Sequence, residues 1–478
     1  MSQAPHARVT RVQSHMPAEP PFVLRARLLT PISGGGFRYE RDAVLEVDAA
    51  GRISTVASHA EWERTAGTRP AEATSVALDV RPLLLMPGMV DLHAHLPQYP
   101  NAGLGAGIGL LPWLERYVFP LERAFDAAAA ESLAPAFFGA MAHAGTTTAV
   151  VYGAIFEPSL DATFRAADVH GIRAVIGKVM MDRVTYDRLT PAQALEISLR
   201  QSADLCARWH GRDGGRLAYA FTPRFAVACS AEMLQESAAL ARHYGAYWQT
   251  HLSENTSEVA EVTRLFPEAR DYLDVYDRAG GLGTRTILAH AVHLSGREVG
   301  RLVESGSRVA HCPASNLFLA NGLMPLARYR EAGALIGLGS DVAGGPELSI
   351  FSVMRAGAYA QGALVSQGET RPPLGPLDWL RLGTLDGARA LGLDGAIGSL
   401  EPGKEADFIA LDASRTAPLP GLDADEPEEL MGRLIFRAHP DMVQAAWVRG
   451  RLLEAPGEDP NASRSKARTS GRLSCGTG

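Results

Sequence analysis

Leu83-Leu84-Leu85-Met86-Pro87-Gly88-Met89-Val90-Asp91-Leu92-His93-Ala94-His95 is an apolar run that ends in two histidines. The run reads as a buried strand over Leu85–His93. In extended chain, residues two apart project to the same side, so the imidazoles of His93 and His95 can converge on one metal ion. Two ligands do not make a site, and two unrelated, partly buried histidines fit the same pattern. Further ligands have to come from other strand ends.

Seven more strand candidates follow: Thr146–Tyr152, Ile172–Met181, Leu217–Phe225, Ala246–Glu254, Thr286–Leu294, Arg308–Ser315 and Leu335–Asp341. Helical patterns separate most of them, as at Leu121–His143, Ala192–Trp209, Ser230–His243 and Arg297–Glu304. Eight strands alternating with helices predict an α/β fold, a distorted TIM (β/α)8 barrel over residues 85–394. No Gly-x-Gly-x-x-Gly follows an early strand, which argues against a dinucleotide fold. Short strands at both ends of the chain predict a small composite β-sandwich from residues 22–84 and 395–455. Residues 1–21 and 456–478 read as disordered tails, with little to bury.

The composition narrows the class. The 478 residues are 46% hydrophobic and 21% charged, as in soluble globular proteins. A net charge of −7 without a basic stripe argues against a nucleic-acid partner. Four cysteines, 206, 229, 312 and 475, form no Cys-x-x-Cys, which suits a reducing compartment and excludes the His-x-Glu/Cys-x-x-Cys type of zinc deaminase. No secretory leader or membrane-length apolar stretch is evident, so a cytoplasmic protein without a membrane partner is expected.

Barrel active sites lie at the C-terminal strand ends, and the missing ligands appear there. His251 ends the fifth strand, His290 lies on the sixth, and Asp341 ends the eighth. Three histidines and an aspartate make a mononuclear centre with room for water, as a hydrolytic metal requires. Lone histidines such as His290 or His311 also fit as satisfied core residues. Glu254, three residues past His251, can shuttle protons between water and a substrate nitrogen. His290, if not a ligand, can donate to a developing oxyanion. Lys178 falls on the third strand rather than the fourth, where a metal-bridging lysine would come from, so one metal is expected. The glycine-rich segment Asn101–Leu111 reads equally as a closing loop or a plain surface loop.

Several motifs resemble the amidohydrolase superfamily and, within it, the guanine deaminase family. They are Pro87-Gly88 leading to His93-Ala94-His95-Leu96-Pro97-Gln98, Trp113-Leu114-Glu115-Arg116-Tyr117 with Phe119-Pro120, and Thr222-Pro223-Arg224-Phe225. Further along come His251-Leu252-Ser253-Glu254-Asn255, Tyr272-Leu273-Asp274-Val275-Tyr276, Ala310-His311-Cys312-Pro313-Ala314-Ser315-Asn316 and Gly337-Leu338-Gly339-Ser340-Asp341-Val342-Ala343-Gly344-Gly345.

The resemblance implies hydrolysis of guanine to xanthine and ammonia by a metal-activated water. It implies one Zn2+ per subunit, or Fe2+, held by His93, His95, His251 and Asp341. Glu254, Asp341 and His290 would be catalytic. Gln98, Arg224 and Phe225 would contact the purine, with His251, Glu254 and Asp341 beside it. A homodimer is expected. Ser340 stands where the family usually has Thr, and Pro346-Glu347 departs from the small polar or aromatic residues expected after the glycine pair, at the pocket rim. The rival readings are a deaminase or dechlorinating hydrolase of another purine, a pterin or a triazine on this scaffold, and a catalytically dead barrel used for binding.

Overall fold

The computed structural model describes residues 16–65, 76–183 and 189–454. Eight parallel strands form the barrel: β1 (Met89–His95), β2 (Thr146–Tyr152), β3 (Arg173–Gly177), β4 (Leu217–Pro223), β5 (Tyr247–Leu252), β6 (Thr286–His290), β7 (Arg308–His311) and β8 (Leu335–Leu338). They pair in sequence order, as the alternation with helices requires. Small and β-branched residues fill the space between them, among them Val90, Val150, Val175, Ala220, Ile287, Ala289 and Ala310. The (β/α)8 expectation holds.

The first expected strand is two strands. Leu78–Pro87 belongs to the small domain and β1 to the barrel, and the chain changes sheets at Pro87-Gly88. Proline has no N–H for a ladder. The Gly88 amide donates to Asp407 O in the small sheet at 3.1 Å, and the next amide, Met89, donates to Gly145 O in the barrel at 2.9 Å. A Cβ on Gly88 would lie 2.0 Å from Thr147 Oγ1, so only glycine fits this crossing. The expected helix Leu121–His143 is likewise two, Phe119–Arg123 and Ala127–His143, because Asp126 caps the second at Ala129 N.

The strands from both chain ends are hydrogen-bonded into one seven-stranded sheet. Its alternation serves two cores: Leu83 and Leu85 join the small domain's own core, while Leu84 and Met86 face the barrel. Residues 16–21, expected in the N-terminal tail, pack on this sheet. Met16 is buried, and Pro17 O accepts from Trp447 Nε1 at 2.9 Å. The rest of the two expected tails, residues 1–15 and from 456 on, lies outside the described residues.

Buried Arg173 on β3 ties the two domains, donating to Asp407 Oδ2 at 3.0 Å and to Glu405. Burial raises the Glu405 carboxyl, but the Arg173 and Arg449 guanidiniums outweigh it and hold it below the ordinary 4.5. That contribution is therefore present above the ordinary carboxyl range and is lost as pH falls through the lowered value. Arg173→Met is expected to reduce the unfolding free energy by about 3–5 kcal/mol at neutral pH, because it takes the guanidinium partner from buried Asp407 and leaves Glu405 with Arg449 in place of two close guanidiniums. In denaturant titrations the gap from wild type should narrow below pH 4.5, and a gap independent of pH would contradict this account.

Candidate metal and substrate site

The ends of β1 and β8 meet through bonds that also place metal-capable side chains. Asp341 N donates to His93 O at 2.7 Å, and His95 N donates to Val342 O at 2.8 Å. Buried Asp91 braces the junction: Oδ1 accepts from Ser340 N at 2.9 Å and His93 N at 3.1 Å, and Oδ2 accepts from Ser340 Oγ at 2.5 Å. Burial pushes the Asp91 carboxyl up to about 7, against the hydrogen bonds from Ser340 and His93. Ser340 supplies the hydroxyl that the junction uses.

His93, His95, His251 and Asp341 turn their ligand atoms on one point. His93 Nε2 is 3.2 Å from His95 Nε2 and 3.1 Å from Asp341 Oδ1, and His251 Nε2 is 3.3 Å from His95 Nε2. A tetrahedral ion with bonds of about 2.0–2.1 Å separates its ligands by about 3.4 Å. Burial lowers the proton affinity of all three imidazoles, most strongly at His251, where His93, His95 and His290 add to the effect. They are the neutral donors a metal needs. His251 Nδ1 donates to Arg224 O at 2.6 Å, which leaves Nε2 bare, and Tyr276 OH donates to His251 O at 2.7 Å. Burial disfavours the Asp341 charge, yet the surrounding histidines outweigh it and hold the carboxyl well below its usual range. The residues fit one metal ion.

A second group overlaps the first: His251, Glu254 and His290. His290 Nε2 lies 3.4 Å from Glu254 Oε2 and 3.7 Å from Asp341 Oδ2. Burial pushes His290 down to about 4. Burial, with the Asp341 charge second, raises Glu254 well above the usual carboxyl range. Asn321 Nδ2 holds Glu254 Oε1 at 2.7 Å, and Asn316 Oδ1 accepts from His290 Nδ1 at 3.0 Å. Ser253, His290, Ala291 and Asp341 all have positive φ, between 47° and 72°. Such backbone persists only where its surroundings over-determine it, and here it clusters at one site. Lys178 is buried at the break between β3 and Val179–Met180, and it lines a separate cavity with Phe156 and Met181 rather than the one beside the metal ligands. His311 is buried with both ring nitrogens unpartnered, and it lies outside both ligand groups.

Beside these ligands is a cavity with about 340 Å³ of empty space. Leu110, Trp113, Leu114, Phe225 and Leu319 line it with apolar surface, and Gln98, Arg224 and Glu254 with polar groups. All the expected substrate residues therefore come together. The expected rim residues Pro346 and Glu347 do not line it; Glu347 is exposed and accepts from Ser352 Oγ. The glycine-rich segment is tied over a pocket wall, with Trp113 Nε1 donating to Leu104 O at 2.9 Å and Gly107 N to Phe318 O at 2.7 Å. Asp91, Glu122, Asn316 and Asn321 were missed from the sequence. Asn316 closes the motif that begins at Ala310, but nothing in the spacing pairs it with His290.

The amidohydrolase family model matches residues 84–453. A probable guanine deaminase from Deinococcus radiodurans is 39% identical over 420 residues, covering 87% of this chain and 93% of that protein. The guanine deaminase of Escherichia coli K12 is also 39% identical, over 82% of this chain and 88% of its own. The chain belongs to the guanine deaminases of the amidohydrolase family. A guanine deaminase from C. acetobutylicum, solved with guanine in its active site, superposes with a TM-score of 0.82 at 27% identity, covering 91% of this chain and all of that one. Members of the amidohydrolase family depend on metal. Stripping divalent metal from this one with a chelator should lower the thermal midpoint, since an ion bound only by the folded state stabilises it by about 2.7 kcal/mol at a hundredfold excess over Kd. Adding metal back should restore the midpoint, and a midpoint indifferent to chelation would refute the fit.

Proposed function

We propose that this enzyme hydrolyses guanine at C2, releasing the exocyclic amine as ammonia and leaving xanthine. The observation that carries the reading is the gathering of two sets of groups on the lining of one cavity. Gln98 and Arg224 can read a flat polar base, and Glu254 lines the same space with the metal ligands His95, His251 and Asp341.

His93, His95, His251 and Asp341 would hold the ion, and three imidazole nitrogens with one carboxylate suit Zn2+. When bound, the metal supplies acidity to water and so a nucleophile near neutral pH. Glu254 accepts a proton from the attacking water and returns it to ring N3, which makes C2 more electrophilic. Asn321 fixes one Glu254 oxygen and leaves the other toward His290. Asp341 takes the second proton toward the departing amine. Arg224 donates to the O6 carbonyl, and Phe225 walls the ring.

His290 is assigned to the oxygen of the tetrahedral intermediate, through Nε2. With Nδ1 donating to Asn316 Oδ1, Nε2 is the bare nitrogen. Turning the Asn316 amide over, so that its unpartnered Nδ2 donates to Nδ1, gives Nε2 the proton this role needs.

The three cysteines among the described residues are buried and free, which suits the reducing cytoplasm, where we place the enzyme in purine catabolism as a homodimer. Ammonia release from guanine, adenine, cytosine and triazines tests the reaction, and no release from guanine would sink it. Glu254→Gln should lower kcat by about 10²–10⁴-fold with the metal content unchanged. Near-normal kcat in that variant would remove Glu254 from proton transfer.

A further inference from the structure

Glu122 is 1% exposed and sits on the helix Phe119–Arg123, outside every metal-capable group. Its two oxygens go to two different substrate-facing side chains. Oε1 accepts from Gln98 Nε2 at 2.9 Å, and Oε2 accepts from Arg224 Nη1 at 2.6 Å. The Arg224 guanidinium also lies 5.5 Å from the Phe119 ring centre, so one short helix holds it by charge and by its face. A carboxylate is acceptor-only. Gln98 therefore cannot turn its amide over without setting its carbonyl against a carboxylate oxygen.

We propose that Glu122 is a positioning residue that sets the hydrogen-bond polarity of the purine pocket. Through it, Gln98 presents its carbonyl to an N–H of the base, and the Arg224 fork presents donors to a carbonyl. The pocket then selects a base carrying N–H and C=O on adjoining positions over one lacking the carbonyl. This rests on the guanine reading above. The sequence hides the arrangement because residues 98, 122 and 224 meet only in the folded barrel.

The test compares guanine with 2-aminopurine, which lacks both the O6 carbonyl and the N1–H of guanine, in the metal-loaded wild type and in Glu122→Gln. An amide offers one acceptor and one donor, so either Gln98 or Arg224 meets an opposed N–H. The kcat/KM for guanine should fall about 100-fold, the scale of a misplaced binding group. For 2-aminopurine, which offers neither the N–H to Gln98 nor the carbonyl to Arg224, the fall should be less than about fivefold on the same reasoning. Where 2-aminopurine turns over too slowly to follow, its Ki against guanine should change by less than about fivefold between wild type and variant on the same reasoning. Glu122→Asp, a methylene short of spanning both partners, should show the same selective loss and serves if the first variant does not fold. A parallel fall for both purines, or no fall for either, overturns the proposal while leaving the guanine reading intact. No ammonia from guanine in the wild type overturns both.

Discussion

The junction of the first and last barrel strands is the constraint on which the site depends. A parallel barrel has to close by giving the backbone groups of its two end strands partners. Here the closing bonds run between the residues that carry the metal-capable side chains, Asp341 to His93 and His95 to Val342. Asp91 finishes the junction with three hydrogen bonds, two of them to Ser340. Closure and ligand placement are one event, which explains why left-handed backbone is tolerated at Asp341.

Electrostatics follows from that closure. Packing several imidazoles and two carboxylates into a water-poor space is costly unless a cation joins them. Burial keeps the histidines neutral and raises Glu254, while Asp341 stays ionised among them. The outcome is two neighbouring carboxyl groups whose proton affinities are driven apart, a division suited to one group that binds and one that carries protons. The cavity walls extend the same logic, since Glu122 imposes a fixed polarity on Gln98 and Arg224.

Much of this was legible in the residues. The His-x-His spacing, the strand-end histidines and Asp341 are visible because period-two geometry and barrel topology constrain them tightly. Gln98, Arg224 and Phe225 came from motif resemblance, and the structure brings all three to one cavity. The strand break at Pro87-Gly88 was hidden by an apolar run that continues through it to serve three packing environments. Asp91, Glu122, Asn316 and Asn321 act through side-chain contacts, several of them spanning scores of residues in sequence. Only the closed barrel reveals such pairings, as between Asp91 and Ser340 or Glu122 and Arg224.

The central claim is that the closing seam holds a single metal ion. The overlap of the two ligand groups at His251 makes that claim sharp. The most direct measurement is an anomalous difference map, at the zinc absorption edge, from crystals of the metal-loaded enzyme. The account predicts one peak per chain, bonded to His93, His95, His251 and Asp341. A peak held instead by His251, Glu254 and His290, or two peaks in one chain, would contradict it.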